Sequence, residues 1–150
     1  MPAGPQISES LNRLLADSTV FYQKLRHYHW NVTGPQFFAL HIKFEELYGA
    51  WAERIDQVAE RILTVGGVPI HTLRAVLEAS SLEEDESLPA AEKMVTRLLA
   101  DLMVLRDSIV GIRREADESQ DDGTADLMDQ IRDDLEKDAW MLRAFTARAE

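Results

Sequence analysis

The chain has 150 residues, 45% of them hydrophobic and 29% charged, a formal net charge of -11 and no Cys. That length suits one domain around one core, and the lack of Cys excludes disulfides, a thiol nucleophile and thiolate metal sites, which leaves His, Asp and Glu as metal ligands. The acidic balance argues against sequence-independent DNA binding, because that affinity comes from Lys and Arg on phosphates; no Lys or Arg in the first ten residues opens a signal peptide and no apolar run nears the ~18 residues of a membrane span, so a soluble, cytoplasmic protein is expected.

Apolar residues recur at three- and four-residue intervals over four long stretches and nowhere alternate with the period of two that strands need. The fold class expected is therefore all-α. The first stretch, approximately 7–32, carries Ile7, Leu11, Leu14, Phe21, Leu25 and Tyr28 and stops at the breaker cluster Asn31-Val32-Thr33-Gly34-Pro35. The second, approximately 36–65, carries Phe44, Trp51, Ile55, Val58 and Ile62 as its core stripe and ends at Gly66-Gly67-Val68-Pro69. A short helix over 73–79 is expected inside the long connection that follows. The next, approximately 88–117, is expected to start with Ser87 as N-cap and Pro89 in its first turn. The last, approximately 123–148, follows Asp122-Gly123 and uses Met128, Ile131, Leu135, Leu142 and Phe145. Two short connections and one long one give a four-helix bundle with a single crossover that carries the extra helix, all in one domain over 1–150.

On the second long helix, at about 100° per residue, a second stripe lies beside the core stripe: His41, Glu45, Gly49, Ala52, Asp56, Ala59 and Glu60. Metal-ligand types occupy its ends and small residues its middle, which suits close approach of another helix. His41 and Asp56 are about 22 Å apart along a helix, too far to share a metal within one chain. Antiparallel pairing of two copies near Gly49 and Ala50 brings His41 of one level with Asp56 and Glu60 of the other. His29 lies as far before the intervening turn as His41 lies after it, so both imidazoles sit at similar height. Each dimer then holds two sites, built from His29, His41 and Glu45 of one subunit and Asp56 and Glu60 of its partner, an iron(II)-type ligand set. The alternatives are that each His is an ordinary core or interface residue and that Asp56 and Glu60, with Arg54 and Arg61 nearby, form a solvated, salt-bridged face. His27 and His71 are read as surface residues.

The segment Lys24-Leu25-Arg26-His27-Tyr28-His29-Trp30-Asn31-Val32-Thr33-Gly34-Pro35, then Phe38, Leu40-His41, Phe44-Glu45-Glu46-Leu47-Tyr48, Asp56, Ala59-Glu60-Arg61 and Gly67-Val68-Pro69, resembles the Dps family, the mini-ferritins named as DNA-binding proteins from starved cells. The likeness runs over nearly the whole chain, including Trp140-Met141-Leu142-Arg143-Ala144-Phe145. It implies a ferritin-like bundle assembled as a dodecameric hollow shell, with ferroxidase centres at dimer interfaces and ligand roles for His29, His41, Glu45, Asp56 and Glu60. Where the family commonly has Asp after the second His, this chain has Glu45, longer by one methylene. The implied chemistry is oxidation of ferrous iron, with hydrogen peroxide preferred or with dioxygen, and storage of ferric mineral against oxidative damage. The resemblance also makes Trp30 and Trp140 candidate electron donors, although both equally suit large core or interface side chains.

Asp122, Asp126, Asp129, Asp133 and Glu136 lie on one face of the last helix, opposite Ile131, Leu135 and Leu142. Like charges at that spacing repel, so the stripe is either a solvated outer face or a surface that gathers cations. By the resemblance, acids near the start of this helix line an iron-entry pore, which makes Asp122, Asp126 and Asp129 pore candidates; Glu46 and Glu53 are candidates for seeding mineral. A nucleoid-compacting protein with secondary iron chemistry is the alternative function, opposed by the absence of a basic tail.

Overall fold

The computed structural model describes residues 5–147; the expected helical residue 148 lies outside them, as do 1–4. Five helices follow in order: α1 Pro5–Asn31, α2 Phe37–Thr64, α3 Leu73–Ala79, α4 Ala91–Glu118 and α5 Asp122–Thr146. No strand occurs among the described residues. The four long helices bury one stripe each in a common core: Leu11, Leu14, Phe21, Leu25 and Tyr28 from α1, Phe44, Trp51, Val58 and Ile62 from α2, Leu98, Leu102 and Leu105 from α4, and Met128, Ile131 and Leu135 from α5. This is what an amphipathic helix with a 3.6-residue period must do with its apolar face. Ile55 falls at the margin of that core, half-buried, and Phe145 is 36% exposed.

α2 stops where Gly66 takes φ +91 and the Gly67 N–H returns to the Ile62 carbonyl at 2.8 Å, a left-handed C-terminal cap that glycine enters without strain. Gly67 also passes close to α1, since a Cβ there would lie 2.7 Å from Ser8 Oγ. The crossover then climbs α1, held at three polar residues. Asn12 donates to the Val68 carbonyl and accepts from the Ile70 N–H. Asp17, buried in the bundle, accepts from Ser80 Oγ at 2.7 Å, the Ser81 N–H at 2.7 Å and Ser81 Oγ at 2.9 Å. Tyr28 donates to Asp85 at 2.5 Å. From Asn12 to Tyr28 is about 24 Å of helix at 1.5 Å per residue, so the connection spans most of the length of the bundle. α3 packs on α1 along this route through the buried Val76.

The start of α4 differs from the sequence reading. Ser87 is not its N-cap, and Pro89 precedes the helix, which begins at Ala91 with Ala90 in the cap position. The reason is competition for the serine: both its N–H and its hydroxyl donate to Asp85 Oδ1, at 2.9 and 2.6 Å. Asp85 also receives Arg97 Nη1 at 2.6 Å. Burial opposes ionisation of Asp85, but the hydrogen bonds from Ser87, Tyr28 and Arg97 outweigh it and hold the carboxyl well below the usual carboxylate range. A depressed folded-state pKa stabilises the fold above the unfolded value of about 3.9 and loses that contribution as pH falls below it. Asp85→Asn is therefore expected to lower the urea midpoint at neutral pH, with the gap to the unaltered protein closing below about pH 4. A gap that stays constant into acid would contradict the assignment.

Candidate metal centre

α1 ends and α2 begins on either side of a turn in which Gly34 takes φ +99. The turn folds the two helices into an antiparallel pair and brings His29 face to face with His41. Their rings stack with centroids 3.9 Å apart and planes 11° from parallel. Each ring is held by the other residue's backbone: His29 Nδ1 lies 2.6 Å from the His41 carbonyl oxygen, and His41 Nδ1 lies 2.7 Å from the His29 carbonyl oxygen. A carbonyl can only accept, so each Nδ1 carries a proton, and in the neutral imidazole the lone pair is then on Nε2. Among the described residues no protein donor takes either Nε2. Orienting an imidazole through its remote N–H is how proteins prepare a histidine to bind a metal. Phe37 stacks on His41 at 4.9 Å and Tyr48 meets His29 edge-on at 5.4 Å, which closes the apolar side of the pair.

Glu45, Asp56 and Glu60 are all exposed on α2, and among the described residues none forms an ion pair or a side-chain hydrogen bond within the chain. The two cations that could have neutralised them are engaged elsewhere. Arg54 is buried, lies 4.7 Å above the Trp51 ring and reaches Asp138 at 3.5 Å and Asp134 at 3.8 Å. Arg61 crosses to the start of α5, where Nη2 donates to Asp121 at 2.6 Å and Nε donates to Thr124 Oγ1 at 2.9 Å. Gly123 makes room for that guanidinium, since a Cβ would stand 2.7 Å from both of its terminal nitrogens. The salt-bridged-face alternative for Asp56 and Glu60 is thus not what the arginines do. Among the described residues, no three His, Asp or Glu side chains of one chain come together to hold a metal ion. One chain brings together only the two imidazoles, and Asp56 and Glu60 stand about four and five turns beyond His41 along the same exposed stripe.

The surface around these groups is apolar and small. Phe38 is 78% exposed, Ile42 55% and Leu63 58%, with the exposed Gly49 and Ala52 between them. Trp30 and Trp140 are 56% and 57% exposed, so in one chain neither is a core residue. Trp30 stacks beneath Arg26, whose Cζ lies 4.9 Å from the indole centroid. His27 is more than a surface residue: Asn31 donates to its Nδ1 at 2.9 Å, so its Nε2–H donates to the Ser87 carbonyl at 2.9 Å and ties α1 to the crossover. His71 is exposed, with Nδ1 2.9 Å from the Pro69 carbonyl oxygen. Tyr48 was not among the residues singled out by sequence, although it stands seven positions after His41, two turns along nearly the same face.

On α5 the acidic stripe divides. Asp122 and Asp126 are exposed at the first turn, which Asp121 caps by accepting the Thr124 N–H at 3.0 Å. Asp129 is engaged by Arg113 Nε at 2.9 Å and Arg132 Nη2 at 3.2 Å. Glu136 is engaged by Arg106 at 3.2 Å and Arg132 at 3.5 Å, and Asp133 lies 3.7 Å from Arg132. Glu46 pairs with Lys43 at 3.6 Å, while Glu53 is exposed beside a small cavity near Arg54.

The ferritin-like domain family matches residues 8–150 of the chain. Over 135 residues the sequence is 47% identical to the DNA protection during starvation protein of Brevibacillus brevis, a match covering 90% of this chain and 91% of that one. The crystal structure of Dps from Staphylococcus aureus superposes with a TM-score of 0.94 at 36% identity, covering 98% of this chain and 99% of that one. The Dps protein from Vibrio cholerae O1, described as a member of a broad superfamily of ferritin-like diiron-carboxylate proteins, superposes with a TM-score of 0.93 at 34% identity, covering 98% of each chain.

Proposed function

The chain belongs to the Dps family of ferritin-like proteins, and on that footing we propose that it is a ferroxidase and iron store whose metal sites are shared between two subunits. Ferrous iron is the substrate. His29, His41 and Glu45 of one subunit and Asp56 and Glu60 of its partner hold it, with twelve copies closing a shell in the cytoplasm. The observation that carries this reading is the pair of reciprocally fixed imidazoles, each with a free Nε2, beside three carboxylates that their own chain leaves unpaired. Two ferrous ions held together surrender one electron each to hydrogen peroxide, which is the oxidant proposed in preference to dioxygen, so the O–O bond is cleaved without release of a hydroxyl radical. Carboxylates balance the charge of the ferric product, and the imidazoles keep the site open to further ligands. Ferric oxide-hydroxide then accumulates inside the shell. The test is radical release: with two ferrous ions per shared site, peroxide is expected to oxidise both with no trappable hydroxyl radical, and hydroxyl adduct formed in step with the iron oxidised would contradict paired oxidation.

Iron enters, in this reading, past Asp122 and Asp126. The role rests on these two because Asp129, the third candidate, is engaged by Arg113 and Arg132. Carboxylate steering acts through the long-range field and is screened over a Debye length of about 10 Å at ~0.1 M salt. Asp122→Asn with Asp126→Asn is accordingly expected to slow oxidation at low ferrous concentration and low salt, while the rate at saturating iron changes little. An equal loss at every iron concentration would place these residues in the catalytic site or in the fold.

The names of the relatives raise DNA protection as a second reading. Direct DNA binding is disfavoured by the net charge of -11. Retardation of duplex DNA with chelator present, weakening steeply with salt, would restore it.

A further inference from the structure

Resting on the ferroxidase reading, we propose that Phe37 is a positioning residue for the shared site: it acts through His41, holding the imidazole in the attitude that ferrous iron requires, and so sets iron affinity. Phe37 opens α2 four residues before His41, which puts the two side chains one turn apart on the same face. No side chain caps this end of α2; the Phe37 N–H instead donates to the Gly34 carbonyl at 3.0 Å, which ties the ring to the turn that sets His29 against His41. The phenyl lies over His41 with centroids 4.9 Å apart and planes 23° from parallel. His29 lies over His41 at 3.9 Å and 11°. Two near-parallel rings at those distances would collide on one face, so they cover opposite faces and the His41 imidazole is sandwiched. Phe38 backs the phenyl edge-on at 5.3 Å and 68°.

The sandwich does what the hydrogen bond alone cannot. His41 Nδ1 donates to the His29 carbonyl at 2.7 Å, which holds one edge of the ring but leaves it free to tilt about that bond. Tilting swings Nε2, on the far edge, out of line with an ion whose other ligands come from the partner subunit. Flat rings on both faces remove that freedom before iron arrives, so less ordering has to be done on binding. The phenyl itself has no atom that can ligate or exchange a proton, and its contribution is confined to the attitude of His41. A branched aliphatic side chain would fill much of the same apolar space without offering a flat face. Affinity, and not the rate of the loaded site, is therefore where its loss registers.

The assembled protein is to be titrated anaerobically with cobalt(II), a stand-in for ferrous iron whose visible ligand-field bands report imidazole coordination. Phe37→Leu is expected to weaken cobalt binding about tenfold, the lower end of the usual cost of removing a residue that supports a metal ligand. The ferrous concentration giving half-maximal oxidation should rise in step, with the rate at saturating iron little changed. Phe37→Tyr, which restores the ring, should return both to near their native values. Phe37 is half-buried at one end of the bundle, so both variants are expected to keep the native helical content. Cobalt affinity unchanged in Phe37→Leu, or weakened equally in Phe37→Leu and Phe37→Tyr, would overturn the proposal, as would a lower rate at saturating iron with affinity intact. An unaltered protein that binds cobalt through imidazole yet oxidises no ferrous iron would remove the ferroxidase reading, while the cobalt midpoints of the two variants would still decide the role of Phe37.

Discussion

His41→Ala and Asp56→Ala are each expected to abolish rapid ferrous oxidation while leaving the helical content unchanged. His41 is half-buried at the start of an exposed stripe and Asp56 is fully solvated, so neither truncation opens a cavity in the core. What each removes is a ligand, and in the proposed arrangement it removes that ligand from different halves of the two sites in a dimer. A dimer with one His41→Ala subunit and one Asp56→Ala subunit has both defects in one site and none in the other. Activity is therefore expected to return when the two inactive proteins are dissociated, mixed and reassembled, and to approach half of the native rate per mixed dimer. Complementation of this kind separates a shared site from an intrachain one without any structural assumption. If mixed dimers form and stay inactive, the two-chain assignment is wrong.

Lys24→Met is expected to cost about 3–5 kcal/mol of unfolding free energy, the usual penalty for removing one partner of a buried ion pair. Lys24 Nζ sits 2.7 Å from Asp101 Oδ2 between α1 and α4, with only 7% and 14% of the two side chains exposed. Burial raises the pKa of Asp101 despite the stabilising effect of the lysine, and the neighbouring Asp17 raises it further. Without Lys24 the carboxyl must either stay charged in a poorly solvated place or take up a proton. Replacing both partners, Lys24→Met with Asp101→Leu, removes the uncompensated charge and is expected to recover much of the loss. Urea titrations of the three variants check this, and a double variant no more stable than Lys24→Met would show that the pair contributes mainly through packing.

The helix pattern was legible because a bundle core imposes a 3.6-residue period on each chain segment, and Phe44, Trp51, Val58 and Ile62, named from α2 by that period, are buried. The two histidines were legible as a pair because a short turn between antiparallel helices fixes which residues face each other. Their reciprocal hydrogen bonds were not, since these depend on the ring torsions and on backbone carbonyls that carry no sequence signal. Ser87 misled for a related reason. Its capping propensity is local, whereas the carboxylate that captures it is anchored by Tyr28, 57 positions before that aspartate in the chain. The same holds for Arg54 and Arg61, whose sequence neighbours suggested Asp56 and Glu60 and whose actual partners lie on α5. Long side chains reach across helices, and periodicity says which face a residue occupies but not which charge it will find there.

Size-resolved activity tests the shared site most directly. The protein is separated by mass under native conditions, each fraction is assayed for peroxide-driven ferrous oxidation, and bound iron is titrated per subunit. Activity is expected only in an assembly containing complete dimers, with the main peak at the mass of a dodecamer. A monomer that oxidises ferrous iron at the same rate per subunit would contradict the account, because one chain places Asp56 and Glu60 too far along α2 to join His29 and His41 at a common ion.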